Sequence, residues 1–248
     1  MTELAYLPTI DAAYVREFRA TVVARPPEGW ILDRTFFYPA GGGQASDRGW
    51  IETEDGATAV VVEVRRRGEE AVHRLRGPAG IPPIPAGAAV RGRIDWDRRH
   101  GHMRLHTAQH ALSALAFHRF GPRTRHARME GTAALLELDT ALPPSAGPWL
   151  TEAMAALARE RRPVRIDFVP RAEWLADPNP RSGLVPLPER VDPVRIVTIE
   201  GVDRCPCGGT HIRSTQEIGP VRVRCEGDGR RLRLDLSGPA PPVPTPIG

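Results

Sequence analysis

Residues 96–120 read WDRRHGHMRLHTAQHALSALAFHRF, and the pattern of the chain changes at this stretch. Its apolar residues, among them Met103, Leu105, Ala108 and Leu112, recur at helical spacing, which predicts one long α-helix. Gly121 and Pro122 follow it and predict its end. The residues before and after this helix follow different patterns, so the helix divides the predicted fold in two.

The part before the helix consists of short segments rich in β-branched residues, separated by clusters of Gly, Pro and Asp. These segments are FRATVVA, WILDRTFFYP, RGWIE, ATAVVVEV, AVHRLR and AAVRGRID. Many short strands at this spacing are typical of a small β-barrel. Residues 1–95 are therefore predicted to form a β-barrel domain.

The part after the helix alternates strands and helices. AALLELD, VRIDFV and VRIVTIEG predict strands, PWLTEAMAALARERR and RAEWLAD predict helices, and GPVRVRCEG with RRLRLDL predicts a final hairpin. Residues 96–237 are predicted to form an α+β domain, and the Pro-rich residues 238–248 a disordered tail. The predicted fold class of the whole chain is α+β.

Composition limits the class of protein. The chain has 248 residues, 41% of them hydrophobic, no run of 18 apolar residues and no secretory leader at its N-terminus, which favours a cytoplasmic protein without a membrane span. Only three cysteines are present, so no disulfide framework is expected. All 34 basic residues are Arg, which GC-rich codon usage explains. The net charge of +4 permits a polyanionic partner without demanding one.

Two short motifs predict a metal site. His106 and His110 are four residues apart and therefore share one face of the helix. The heptapeptide CPCGGTH, residues 205–211, adds His211 and two candidate thiolates, Cys205 and Cys207. Three imidazoles and one thiolate favour Zn²⁺, one ion per chain, over the oxygen-preferring Mg²⁺ or Ca²⁺. Thr210 is expected to place a hydroxyl beside the metal.

Five stretches carry a resemblance to a known family. They are FYPAGGGQASDRG (37–49), IDWDRRHGHMRLHTAQHALSAL (94–115), SGLVPLPE (182–189), DRCPCGGTHIRSTQEIG (203–219) and GDGRRLRL (227–234). In this order the set resembles the alanyl-tRNA editing proteins of the AlaX family, in their medium-length form, and the editing domain of alanyl-tRNA synthetase. The resemblance implies metal ligands at His106, His110, Cys207 and His211 and leaves Cys205 without a role.

The resemblance also implies a trans-acting deacylase in the cytoplasm. Its substrate would be the ester at the acceptor end of mischarged tRNA(Ala), chiefly seryl-tRNA(Ala) and also glycyl-tRNA(Ala). The segment from Gly41 through Gly42 and Gly43 to Gln44 would lie near the amino-acid pocket, together with Thr210. A tight turn in the barrel is the alternative interpretation of this GGGQ segment.

Several mechanistic points stay open at the level of the sequence. Four protein ligands close a tetrahedral site, and closed sites are usually structural. Three alternatives follow. One ligand is loosely held, with His211 the candidate; or the metal expands its coordination; or the ion orients the substrate while another group activates the water. The general base and the oligomeric state are not predicted. The side chain of Thr107 is expected to point to a different helix face from the histidines.

Basic residues near these motifs are candidate tRNA contacts, because Arg can bind phosphate through two hydrogen bonds. They are Arg98, Arg99, Arg104, Arg230 and Arg231. Two other functions compete with the deacylase. One is a tRNA-binding module with a purely structural zinc, and the other is a related zinc hydrolase acting on a different mischarged tRNA.

Overall fold

The computed structural model describes residues 1–77, 84–177, 187–238 and 241. Its contacts divide the chain into two compact units, Met1–His100 and Gly101–Gly248. Most of SGLVPLPE and of the Pro-rich tail lies outside the described residues. The predicted α+β class is confirmed, because helices and several separate sheets are present.

The described residues of the first unit contain eight strands. They are β1 (Glu3–Leu4), β2 (Glu17–Ala24), β3 (Trp30–Leu32), β4 (Arg34–Thr35), β5 (Gly49–Thr53), β6 (Thr58–Arg67), β7 (Glu70–Arg76) and β8 (Ala89–Ile94). β1 and β4 form a parallel pair. The other six pair antiparallel and close on themselves in the order β2-β3-β7-β6-β5-β8, so this sheet has no free edge.

Alternation along the strands fills the barrel interior. In β2, Phe18, Ala20 and Val22 are buried while their neighbours are more exposed. The Phe18 ring packs against Phe36, with ring centroids 5.3 Å apart. A Cβ atom at Gly92 would lie only 2.4 Å from this ring, so glycine at that position makes room for the aromatic core.

The long helix α1 spans Trp96–Phe120, as the periodicity predicts, and Gly121 and Pro122 follow its end. Between His102 and Ala116 it is buried on nearly every face. A helix enclosed in this way can present functional side chains in several directions. Among the described residues, no helix is both long and apolar enough to cross a membrane.

The rest of the second unit contains two antiparallel sheets and two further helices. The strands are β9 (Thr124–Glu130), β10 (Ala133–Leu138), β11 (Val164–Val169), β12 (Val194–Ile199), β13 (Asp203–Pro206), β14 (Val221–Glu226) and β15 (Arg231–Leu236), and the helices are α2 (Ala146–Glu160) and α3 (Arg171–Leu175). One sheet has the order β14-β15-β10-β9 and the other β11-β12-β13. β9 is not among the predicted strands; no buried residue marks it, because it is a sheet edge.

Helix α2 covers the outer edge of β14. The backbone N–H of Val223 donates to the hydroxyl of Thr151 at 2.9 Å, and that hydroxyl lies 3.3 Å from the Val223 carbonyl. Gly147 in the first turn of α2 packs against the backbone of the same strand. A side chain of the helix thus satisfies backbone groups that an open edge would leave unpaired.

Candidate metal centre

Helix α1 contributes two of the candidate ligands. His106 and His110 are both buried, and their ring centroids lie 5.2 Å apart. This is the separation expected for side chains one helical turn apart on a common face. Leu105, Ala108 and Leu112 are fully buried around them, so the two imidazoles are shielded from bulk water.

The segment after β13 contributes the other two ligands. Cys207 follows the strand directly, and its backbone N–H donates to the carbonyl of Arg195 at 3.1 Å. Its Sγ accepts a hydrogen bond from the backbone N–H of Gly209 at 3.3 Å. His211, at the end of the turn, is completely buried, and its ring lies 4.4 Å from that of His106 between centroids.

The four side chains converge on one point. One donor atom from each of His106, His110, Cys207 and His211 lies within 4.8 Å of every other. The Cys207 Sγ is 3.5 Å from Nε2 of His106 and 3.3 Å from Nε2 of His211. Around a tetrahedral ion with bonds of about 2.0–2.1 Å to nitrogen and about 2.3 Å to sulfur, these atoms would be separated by about 3.5 Å. The donor set therefore fits a metal ion.

Hydrogen bonds from outside the cluster orient two of the imidazoles. Nδ1 of His110 lies 3.2 Å from Oδ2 of Asp203, and Nδ1 of His211 lies 3.1 Å from the hydroxyl of Thr107. The same hydroxyl accepts from the backbone N–H of Ile212 at 3.3 Å. An imidazole that donates through Nδ1 keeps the lone pair of Nε2 for an ion, as metal-bound histidines usually do.

Thr107 contacts a ligand of the cluster, a role that the sequence analysis did not assign to it. Spacing on an isolated helix places its side chain away from the ligand face, but α1 is enclosed and the turn that carries His211 lies beside Thr107. Asp203 was missed because its partner is 93 residues away in sequence. The only signal for Asp203 is its position in a strand, two residues before Cys205 and four before Cys207.

The electrostatics favour a thiolate in this cluster. Burial raises the pKa of Cys207, but the neighbouring imidazoles of His106, His211 and His110 outweigh it and hold that pKa well below its usual range. Burial lowers the pKa of His211 to about 3, so this imidazole is neutral. A thiolate and a neutral imidazole are the forms that bind metal ions.

His110 behaves differently in the metal-free chain. Burial lowers its pKa, but the Cys207 thiolate and the Asp203 carboxylate outweigh this effect and raise the pKa to about 10. The proton of this imidazolium must leave before its nitrogen can bind an ion, so metal binding releases a proton here.

Cys205 lies on the edge of this centre. It is buried, and its Sγ falls within 4.8 Å of donor atoms of Asp203 and His110. Its thiol also lies 3.7 Å from the carbonyl of Pro206. Cys205 thus lies beside the Asp203–His110 hydrogen bond and is not part of the four-residue cluster. Thr210 is completely buried in the same turn.

The GGGQ segment is a tight turn in the first unit. Gly41 and Gln44 exchange both backbone hydrogen bonds, at 3.1 and 2.9 Å. Gly42 and Gly43 have φ of 53° and 80°, the left-handed values that a two-residue hairpin turn needs at both central positions. The three glycines are exposed, whereas Gln44 is 2% exposed. The turn interpretation accounts for the glycines.

Two of the five candidate tRNA contacts are wrong. Arg99 is fully buried, forms an ion pair with Asp47 and donates to the carbonyls of Ala13 and Phe36. Arg104 is 5% exposed and donates to the carbonyl of Ile218 at 3.0 Å. Guanidinium groups that are enclosed and occupied by protein acceptors cannot reach a phosphate.

The remaining three arginines are at least partly accessible. Arg98 is half-buried and donates from Nε to the carbonyl of Ser46 at 3.1 Å. Arg230 and Arg231 are exposed near the β14–β15 turn, and Nε of Arg230 lies 3.4 Å from Asp228. Composition could not separate these residues from Arg99 and Arg104, because burial depends on distant parts of the chain.

Two family models match separate parts of the chain. Residues 7–98 match the model of class II (A) tRNA synthetases, and residues 194–234 match that of the threonyl and alanyl tRNA synthetase second additional domain. The chain is 34% identical over 243 residues to alanine–tRNA ligase of Pyrobaculum aerophilum, covering 90% of this chain and 26% of the ligase.

Two relatives are similar over nearly their whole length. The alanyl-tRNA editing protein AlaX-M of Saccharolobus solfataricus is 35% identical over 236 residues, covering 93% of this chain and 97% of the relative. AlaX-M of Methanosarcina barkeri is 34% identical over 233 residues, covering 90% and 92%. With this identity across almost complete chains, the protein belongs to the family of alanyl-tRNA editing proteins.

Proposed function

We propose that this protein is a trans-acting deacylase that hydrolyses the ester of mischarged tRNA(Ala), chiefly seryl-tRNA(Ala) and also glycyl-tRNA(Ala). Its relatives are named alanyl-tRNA editing proteins, which are deacylating hydrolases. The observation that carries the proposal is the convergence of His106, His110, Cys207 and His211 on one point.

We propose Zn²⁺ as the ion of this centre, one per chain. Three nitrogens and one thiolate are ligands that Zn²⁺ accepts, whereas Mg²⁺ and Ca²⁺ prefer oxygen. When bound, Zn²⁺ supplies Lewis acidity toward an ester carbonyl or a water molecule. The chain itself supplies orientation, since Asp203 holds the ring of His110 and Thr107 holds that of His211.

The environment of the ligands bears on which of them is loosely held. His211 is completely buried and anchored by Thr107, which argues against the prediction that it is the loose ligand. Cys207 is only half-buried and is the most accessible of the four. We propose that substrate approaches the centre from the side of Cys207.

Thr210 is proposed to line the pocket for the amino acid, and the GGGQ turn of the first unit is proposed separately as a substrate contact. Rejecting alanine while accepting serine needs polar groups that the serine hydroxyl satisfies and that alanine leaves unpaired. Gln44 and Thr210 offer such groups. Arg98, Arg230 and Arg231 are the predicted phosphate contacts whose exposure is compatible with RNA binding.

Deacylation assays test the proposal. Metal-loaded protein is expected to hydrolyse Ser-tRNA(Ala) and Gly-tRNA(Ala) but to spare Ala-tRNA(Ala). His110→Ala should reduce the rate by more than the about 10–100-fold that loss of an outer hydrogen-bond partner costs, because a ligand itself is lost. Persistence of Ser-tRNA(Ala) with folded, metal-loaded protein would show that the proposal is wrong.

The same assays separate the two competing functions. A tRNA-binding module with a structural zinc would bind tRNA(Ala) yet show no deacylation, and chelation would unfold its second unit. A hydrolase for another tRNA would act when serine is attached to a different acceptor stem and would be slow on Ser-tRNA(Ala).

A further inference from the structure

The outer face of the sheet formed by β14 and β15 carries a dense group of arginines. In the register of this antiparallel pair, Arg224 lies opposite Arg233, and Arg222 lies opposite Asp235. Opposite and alternate residues share a sheet face, so all four side chains are on the same side. Their neighbours Val221, Val223, Leu232 and Leu234 are buried on the other face. Arg222, Arg224 and Arg233 are called the arginine cluster below.

Asp235 pairs with two of the three arginines in the cluster. Oδ2 of Asp235 accepts from Arg224 at 2.7 Å, and Nε of Arg233 lies 3.0 and 3.2 Å from the two carboxylate oxygens. Within the described ranges, the Arg222 side chain forms no ion pair or hydrogen bond. The same face of β14 and β15 also has Glu226 opposite Arg231, so it carries four arginines and two carboxylates, and the local excess is two positive charges.

This arrangement is unfavourable for an isolated chain. Like charges directly opposite each other on neighbouring strands destabilise a sheet, and Arg224 and Arg233 are such a pair. The side chains are accessible: 48% of Arg224 and 31% of Arg233 are exposed, and Arg222 is exposed. A bound anion would offset the repulsion without any rearrangement of the strands.

An arginine on the other edge strand of this sheet has carboxylates of its own. Nε of Arg128 in β9 is 2.7 Å from Glu130. Arg128 lies on the same face of the same sheet, two strands away, because it and Arg233 both oppose Leu135 of β10. Its second acid, Glu137, is 3.5 Å away.

We propose that the arginine cluster is a contact surface for the phosphate backbone of RNA. The proposal rests on the proposed function, which requires the protein to hold a tRNA. Guanidinium groups bind phosphate with two parallel hydrogen bonds, and several on one face bind a polyanion with release of its counterions. None of the three residues was among the predicted tRNA contacts.

Salt-dependent binding of unmodified tRNA(Ala) transcript tests this surface. The double variant Arg222→Gln/Arg224→Gln is expected to bind more weakly, with a log–log salt slope smaller by about 2, since each phosphate contact contributes about 1. Asp235→Asn removes the only shared acid and is expected to bind more tightly. Arg128→Gln is the matched control and should bind as wild type does. Unchanged affinity and slope in the double variant would overturn the proposal.

A small substrate separates this inference from the proposed function. The serine ester of adenosine lacks the RNA backbone, so the double variant should hydrolyse it at the wild-type rate while losing efficiency on Ser-tRNA(Ala). An equal loss of hydrolysis rate on both substrates would overturn the proposed RNA contact surface, because the effect would then arise in the reaction centre. If wild type hydrolyses neither substrate, the proposed function is wrong. The salt-dependent binding data then decide by themselves whether the arginine cluster contacts RNA.

Discussion

Buried histidines occur in both units, and they differ in what completes their hydrogen bonding. In the barrel, His73 uses Nε2 toward the Thr35 hydroxyl at 2.9 Å and Nδ1 toward the Trp30 carbonyl at 3.0 Å. In the second unit, His110 and His211 use Nδ1 toward protein partners, and their Nε2 atoms belong to the shared cluster. Protein groups satisfy both nitrogens of His73, so it is structural, whereas the cluster has the donor atoms to hold an ion.

The two units also differ in the groups that surround a buried charged side chain. Arg99 in the first unit is neutralised by Asp47 and by backbone carbonyls. The Cys207 thiolate in the second unit has only imidazoles and one backbone N–H around it. The charge of Arg99 thus has a carboxylate partner, whereas the thiolate of Cys207 is held by imidazoles that could also bind a metal ion.

The largest expected effect concerns the barrel. Asp47→Asn leaves the Arg99 guanidinium buried without its counterion, and loss of one partner of such a pair costs about 3–5 kcal/mol in the free energy of unfolding. Denaturant unfolding and hydrogen exchange of the barrel strands measure it, and metal content should stay at the wild-type value. Asp47→Asn/Arg99→Met should recover part of the loss, because no buried charge remains. Wild-type stability in the single variant would contradict this assignment.

Part of the metal centre and of the barrel core could be predicted from the sequence, and part could not. The bounds of α1 and the pairing of His106 with His110 follow from local periodicity. The heptapeptide indicated His211, and the resemblance selected Cys207 over Cys205. The hydrogen-bond partners inside the folded protein could not be predicted from the sequence. Thr107, Asp203 and Arg99 each bond to a residue more than 50 positions away, so no local pattern marks them.

Acid should weaken the barrel through His73. Burial lowers the pKa of this imidazole to about 4, from an ordinary value near 6.5. Between pH 4 and pH 6.5, His73 is therefore protonated in the unfolded chain but neutral in the folded barrel. The free energy of unfolding is highest above pH 6.5 and decreases as the pH falls to 4. The difference amounts to about 3 kcal/mol at most. Hydrogen exchange of the barrel strands as a function of pH measures it, and His73→Gln should remove this part of the pH dependence. A wild-type barrel equally stable at pH 4.5 and 7 would refute it.

A smaller effect is expected at the partner of His110. Asp203→Asn keeps the shape of the side chain but removes the carboxylate that orients the ring, which should lower metal affinity about 10–100-fold. Competition with a chromophoric chelator gives the affinity. Asp177→Asn is a suitable control, since Asp177 pairs with Arg204 and lies outside both groups of candidate ligands. If Asp203→Asn binds metal as tightly as wild type, Asp203 does not orient a ligand.

The identity of the sulfur ligand tests the metal centre most directly. Cobalt substitution of the purified protein gives a charge-transfer absorption only when a thiolate binds the ion. We expect one metal ion per chain and this absorption in wild type and in Cys205→Ser, and loss of the absorption in Cys207→Ser. An absorption that survives in Cys207→Ser, or that disappears in Cys205→Ser, would contradict a centre built from His106, His110, Cys207 and His211.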